Sequence, residues 1–275
     1  MIRFAIQSRL VPGASIREKH ERAISYGFDG IELSGSRPMI ELAEEAVRDS
    51  VPVTAMCSGH RGWFIDPDPH QVAACREDVK TLVELSARLG GAPLIIVPIY
   101  GRTHHLPNSS TGRTAEEDRA LWLEGLREVT GHAESVGGNL VVEAINRYEN
   151  SVSVHVQDAV GFAREMASER VRAMGDVFHM NIEEIHLGEA FQSMGDMLAY
   201  VHLADSQRLE PGQGHLPWDS VFDGLVAAGY DGYASLECNL SGPADEVLPA
   251  AVGFLRDRLA EAEQRHRADE NAAVR

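Results

Sequence analysis

The sequence is short of several things, and each shortage narrows what the chain does. Only three cysteines occur among 275 residues, Cys57, Cys75 and Cys238, with no CxxC or other zinc-type spacing. An odd count without a framework suits a reducing compartment rather than a disulfide scaffold. No apolar run reaches the roughly 18 residues of a membrane span, and the N-terminal MIRFAIQSRL lacks a signal-peptide core. The expectation is a cytoplasmic protein with no membrane partner. Basic charge is scarce: 25 Lys and Arg face 42 Asp and Glu, a formal charge of −17. Nucleic-acid binding needs cations that neutralise phosphates, so no nucleic-acid partner is expected. No GxGxxG or P-loop follows any candidate strand, which removes the usual nucleotide-binding signatures.

What the chain does have is alternation. Short apolar runs at 2–7, 30–34, 51–58, 93–99, 140–145, 171–177, 199–205 and 233–238 read as strands. Between and after them, 15–26, 38–49, 68–90, 115–137, 155–168, 181–196, 217–229 and 243–264 read as helices. Pro38 and Pro217 stand near helix starts, and Gly27, Gly90, Gly137 and Gly229 near helix ends. Eight such units fit one α/β domain, a (β/α)₈ barrel over residues 1–265, with a doubly wound open sheet as the alternative. The closing EAEQRHRADENAAVR, charged and rich in small residues, is expected to end in a disordered tail at 266–275.

In a barrel of this kind, function sits at the C-terminal ends of the strands. Those ends carry Glu32, the stretch Cys57 to His60, Glu143, Asp176, His202 with Asp205, and Glu237. Strand alternation puts Glu143 on the face of Val141, Asp176 on that of Met174 and Glu237 on that of Ser235. Three carboxylates and an imidazole from four consecutive strands would converge on the barrel axis. Carboxylates crowded together repel and take up protons, a conflict that one divalent cation removes. Mostly oxygen with one nitrogen suits Mn²⁺, Mg²⁺ or Co²⁺ better than a thiolate-type zinc site.

The segments VVEAINRYE, MGDVFHMNIEE, VHLADSQRLEPGQGHLPW and YASLEC resemble the sugar isomerase and epimerase superfamily with the xylose-isomerase-like barrel. The resemblance is closest to the D-tagatose and D-psicose (ketose) 3-epimerases. Four positions run 143 to 176, 176 to 202 and 202 to 237, intervals of 33, 26 and 35, as in that branch. What it implies is a metal-dependent sugar epimerase that inverts C3 of a ketose through an enediolate. Glu143, Asp176, His202 and Glu237 would hold one metal ion, Mn²⁺ before Mg²⁺ or Co²⁺. Glu143 and Glu237 would also be the two acid/bases. His179, Arg208 and Glu149 match substrate contacts, and Asn146 and Arg147 shape the same loop. A homodimer or homotetramer is the implied assembly, and the lack of a Gly-rich phosphate-cradling loop after strands 7 and 8 favours a free sugar over a sugar phosphate.

His60 and Trp63 are further candidates for sugar contact, Trp63 and Phe64 forming either an apolar wall or a cap on the core. Glu32 is either an active-site residue or the partner of a neighbouring loop. His104 and His105 read as solvated loop rather than lid, Trp218 as packing, and Cys238 as pointing away from the site. Alternatives keep the metal and change the outcome. They are an aldose–ketose, keto-inositol or hydroxypyruvate-type isomerase, or a dehydratase or lyase on a 3-oxo-sugar or 3-oxo-glycoside. A DNA-repair endonuclease of the same superfamily is opposed by the acidic charge, and a non-enzymatic sugar-binding barrel stands last.

Overall fold

The computed structural model describes residues 1–35, 38–100 and 111–273. Eight parallel strands, β1 Arg3–Gln7, β2 Gly30–Leu33, β3 Val53–Cys57, β4 Leu94–Ile96, β5 Leu140–Glu143, β6 Val171–Asp176, β7 Leu198–Leu203 and β8 Tyr233–Leu236, close into a barrel in sequence order. The seam is β8 against β1, with Arg3 opposite Tyr233 and Ile6 opposite Leu236. Outside run α1 Ile16–Tyr26, α2 Met39–Arg48, α3 Pro69–Arg88, α4 Ala115–Val136 and α5 Val156–Met166. They are followed by α6 Val177–Glu183, α7 Leu187–Met194, α8 Trp218–Ala227 and α9 Ala244–Ala273.

Local chemistry sets these boundaries. The Ser15 hydroxyl accepts from Glu18 N at the start of α1, and Gly27 closes that helix at φ +103°. A left-handed cap of this kind suits glycine, which has no Cβ to clash. Thr114 and Glu117 form a reciprocal capping box on α4, which Gly137 ends at φ +80°. Among the described residues, no helix is long and apolar enough to cross a membrane.

Two expectations differ from the structure. One helix expected at 181–196 is instead the pair α6 and α7, and α6 begins directly after the last residue of β6. Asp176 makes this abrupt start feasible: its Oδ1 accepts from Phe178 N at 2.7 Å and caps the new helix. At the other end, α9 runs to Ala273, where the sequence suggested a tail from 266. The segment after Ala262, the last buried apolar residue among those described, is rich in Ala, Glu and Arg and contains no Gly or Pro. Propensity therefore lets the helix continue beyond the core.

The barrel interior is layered. Ala55, Ile95, Val141, Met174 and Tyr200 pack into one buried apolar cluster inside the sheet. Two residues further along each strand stand Cys57, Val97, Glu143, Asp176 and His202. Because side chains repeat on one face every second residue, this next layer also faces the axis, at the C-terminal mouth. Gln7, Glu32 and Glu237 belong to the same level: the Gln7 amide donates to Glu32 Oε1 at 2.9 Å and to Glu237 Oε1 at 2.8 Å. Apolar floor and polar rim are thus consecutive turns of one alternation.

Candidate metal and sugar site

Glu143, Asp176, His202 and Glu237 each offer a ligand atom, and these four atoms lie within 4.8 Å of one another. Asp176 and His202 are fully buried, Glu143 nearly so, and the Glu237 side chain is 16% exposed. His202 Nδ1 lies 3.1 Å from Glu237 Oε2, 3.5 Å from Glu143 Oε1 and 3.9 Å from Asp176 Oδ2. Among the described residues, His202 Nδ1 and Glu143 Oε1 are buried without a hydrogen-bond partner. Orphaned buried atoms are costly, and here they converge with two further carboxylates. A divalent cation among three oxygens and one nitrogen satisfies all of them, so the residues fit the group the sequence implied.

The electrostatics show how unusual the cluster is. Burial pushes the Glu143 carboxyl above its ordinary range, with Glu237 and Asp176 adding repulsion and His202 opposing it. Burial also acts against ionised Glu237, but His202 and Arg208 outweigh it and hold that carboxyl well below the usual range. Against the same burial, the charges of Glu32, Glu237 and Glu143 raise the His202 imidazole well above normal.

Glu32 is fully buried and forms the underside of the site. It faces the other ring nitrogen, His202 Nε2, at 3.1 Å, and accepts from Tyr200 Oη at 3.0 Å. Tyr200 in turn meets Thr54 Oγ1 at 2.8 Å. Glu32, Cys57 and His202 form a second group at ligand spacing. Burial and the charges of Glu237 and Glu32 raise the Cys57 thiol well above normal, so with no cation beside it Cys57 stays a neutral thiol.

Above the cluster is a pocket of about 100 Å³, lined by Glu143, Glu237, His179, Arg208, His60 and Trp63 among others. Arg208 reaches Asp176 Oδ2 at 3.0 Å, pairs with Glu237 and lies over the Phe178 ring. His179 sits on α6. The Asn146 amide donates to its Nδ1 at 2.6 Å, leaving Nε2 near Arg208 and 3.7 Å from Asp176 Oδ2. Glu149 stands behind this pair, accepting from Asn146 at 2.8 Å, and is not among the residues lining the pocket. Arg147 is bound to Glu183 rather than to the site.

Trp63 and Phe64 divide: Trp63 lines the pocket against His60, whereas Phe64 is fully buried on Trp122. Trp218 donates to Asp205 Oδ2 at 3.0 Å, and Cys238 is buried outside the pocket lining. His104 and His105 lie outside the described residues. Sequence reasoning missed Gln7 and Tyr100, which lines the pocket and whose hydroxyl burial and nearby Glu149 push up to about 12. Their signal was position alone, Gln7 at a strand end and Tyr100 just past one.

The loop after β7 holds Arg208 in a left-handed conformation, φ +61°, uncommon for a side chain of this size. Asp205 anchors that loop, accepting from Ser206 N at 2.8 Å, Gly212 N at 2.9 Å and the Trp218 indole. Burial opposes its charge, but these donors outweigh it and depress the Asp205 carboxyl. A depressed carboxyl stabilises the fold above its unfolded pKa of roughly 3.9, and that contribution is lost as pH falls through the folded value. Asp205→Ala strands the donors and is expected to cost about 3 kcal/mol, measured by denaturant unfolding. It should also lower activity, by freeing Arg208.

A family model described as a xylose isomerase-like TIM barrel matches residues 21–258. The chain belongs to that family. The 3-dehydro-D-guloside 4-epimerase of Escherichia coli is 31% identical over 81% of this chain and 87% of its own length. The D-psicose 3-epimerase of Enterocloster bolteae is 39% identical over 82% of this chain and 77% of its own. Among solved structures, the 3-keto-D-glucoside 4-epimerase of E. coli superposes with a TM-score of 0.84, covering 94% of this chain and 100% of that one at 28% identity. This member of the family is thus kin to sugar-epimerising enzymes.

Proposed function

We propose that the protein is a metal-dependent sugar epimerase that inverts a carbon next to a ketone, C3 of a ketose in the first reading. The observation that carries this is the convergence of four ligand atoms within 4.8 Å under a pocket that two of the ligands, Glu143 and Glu237, also line. Glu143, Asp176, His202 and Glu237 hold the cation, Mn²⁺ in preference to Mg²⁺ or Co²⁺. When bound, it supplies a positive charge that stabilises the oxyanion formed as the neighbouring C–H is broken.

The protein's own groups carry the protons. Inversion requires a base on one face of the planar enediolate and an acid on the other. Glu143 from β5 and Glu237 from just after β8 approach from separate parts of the ring, so each can take a proton from, or return one to, its own face. Arg208, over the same pocket, adds positive charge beside the developing anion, and His179 Nε2–H is placed to donate to a substrate oxygen. His60 and Trp63 form the wall against which the carbon chain packs. Glu149 orients His179 through Asn146. Three unpaired cysteines accord with a cytoplasmic setting, and a homodimer or homotetramer remains the expected assembly.

A second reading uses the same groups on the corresponding carbon of another sugar class: 4-epimerisation of a 3-oxo-glycoside. Likeness over most of the chain to the guloside 4-epimerase favours it. Protein stripped of metal and reloaded with Mn²⁺ should incorporate deuterium from D₂O next to the carbonyl of its substrate and yield a new epimer by NMR. EDTA should abolish both. Exchange without a new epimer would point to isomerisation or elimination instead.

A further inference from the structure

The seam between β1 and β8 sets one amide between two carboxylates. Gln7 stands opposite Glu32 on β2, and Ile6 opposite Leu236 on β8, so the next step of that register brings Gln7 beside Glu237. Its side-chain nitrogen donates to Glu237 Oε1 at 2.8 Å and to Glu32 Oε1 at 2.9 Å. Its oxygen accepts from Arg9 Nε at 2.7 Å. The amide can take only this orientation, because turning it over would set oxygen against two carboxylates and NH₂ against a guanidinium. Resting on the epimerase reading, we infer that Arg9 and Gln7 are positioning residues that aim Glu237 Oε1, the oxygen that exchanges a proton with the substrate.

The two oxygens of Glu237 have different neighbours. Oε2 turns to the ligand cluster, 3.1 Å from His202 Nδ1, and pairs with Arg208. Oε1 turns to Gln7, with the Cys57 thiol donating from 3.6 Å. A carboxylate that gives one oxygen to a cation keeps the other for a proton, and here that other oxygen takes its direction from Gln7. Among the described residues, Gln7 bonds Glu237 and Glu32 but not Glu143, so the device serves one of the two acid/bases.

Arg9 holds the same acid twice. While Nε fixes the Gln7 oxygen, Nη2 donates at 2.8 Å to the backbone oxygen of Cys238, the residue after Glu237. One guanidinium thus reaches the side chain of Glu237 through Gln7 and its main chain through Cys238. The turn that carries Arg9, Ser8–Leu10, is itself tied down. Lys19 Nζ donates to Ser8 O at 2.8 Å and to Val11 O at 2.9 Å, and the Ser8 hydroxyl donates to Ser34 O at 2.6 Å. Gln7 is 1% exposed and needs partners in any case, but Arg9 is exposed, where water would satisfy it. Holding a long exposed side chain in two bonds costs conformational entropy, which a positioning role explains.

The test is deuterium wash-in at saturating Mn²⁺, followed separately from each member of two epimer pairs. These are D-fructose with D-psicose, and methyl 3-dehydro-D-glucoside with its C4 epimer. In the pair that the parent exchanges, Gln7→Met is expected to lower exchange into one epimer about 10 to 100-fold, the scale of a misplaced group, and to leave the other within about three-fold. The epimer affected should be the one that Glu237→Gln also loses. Arg9→Met, a surface change, should lower exchange into the same epimer about five-fold, with bound Mn²⁺ and circular dichroism unchanged. An equal fall into both epimers, or no fall in Gln7→Met, would overturn the positioning role while leaving the epimerase standing. An effect of Gln7→Met without one of Arg9→Met would strike Arg9 from the pair. A parent that exchanges neither pair would overturn the epimerase reading, and this inference with it.

Discussion

Glu237→Gln and Glu143→Gln should each abolish net epimerisation, lowering turnover by roughly 10² to 10⁴-fold, the range of a positioned acid or base. Their failures should differ in kind. With one glutamate replaced, the other still reaches its own face of the substrate, removes that proton and returns a deuteron from D₂O. Each variant is thus expected to exchange into one epimer without inverting it, and the two should favour opposite epimers. Glutamine keeps one oxygen in place of the carboxylate, so metal content must be measured beside the rates. Two variants that both retain metal and fail on the same epimer would remove the two-base assignment. Both glutamates line the pocket, whereas Asp176 and His202 are fully buried and absent from its lining. Replacing either of those two should instead weaken metal binding and stop exchange into both epimers alike.

Much of this was legible because one rule, alternation along a strand, governs both the apolar layer and the ionisable layer above it. Val141 predicts Glu143, and Met174 predicts Asp176, as residues two apart on one face. The rule gives position but not partner. Nothing local in the sequence says that Glu32 turns toward His202, since the pairing spans 170 positions and exists only once the barrel closes. Gln7 and Tyr200 carry no comparable signal, because neither ionises near neutral pH and neither residue type is a usual metal ligand. The boundary of α6 was hidden for another reason. Asp176 is a strand end, a candidate ligand and a helix cap at once, with Oδ1 on Phe178 N and Oδ2 toward Arg208. A residue with three roles shows only its strongest pattern in sequence, which here was the strand.

The other large effect is expected at Glu32, which would touch neither metal nor sugar. Its carboxylate faces His202 Nε2 at 3.1 Å and accepts from Gln7 at 2.9 Å and Tyr200 at 3.0 Å. An imidazole that gives its Nε2–H to a carboxylate can present the lone pair of Nδ1 to a cation on the opposite side, where Glu143, Asp176 and Glu237 gather. Removing such a partner characteristically costs 10 to 100-fold in metal affinity. Glu32→Gln is therefore expected to raise the Mn²⁺ dissociation constant by about that factor. Titration against a competing chelator measures it, with circular dichroism of the metal-free protein to verify the fold. Tyr200→Phe removes one of three donors and should produce a smaller shift in the same direction. Imidazole ¹⁵N shifts separate orientation from simple packing. In the metal-free parent, His202 should stay protonated on both nitrogens to a higher pH than in Glu32→Gln, because the Glu32 charge holds its proton. A folded Glu32→Gln protein with unchanged Mn²⁺ affinity would show that the four ligands hold their geometry without support from below, and would reduce Glu32 to a buried acid satisfied by its neighbours.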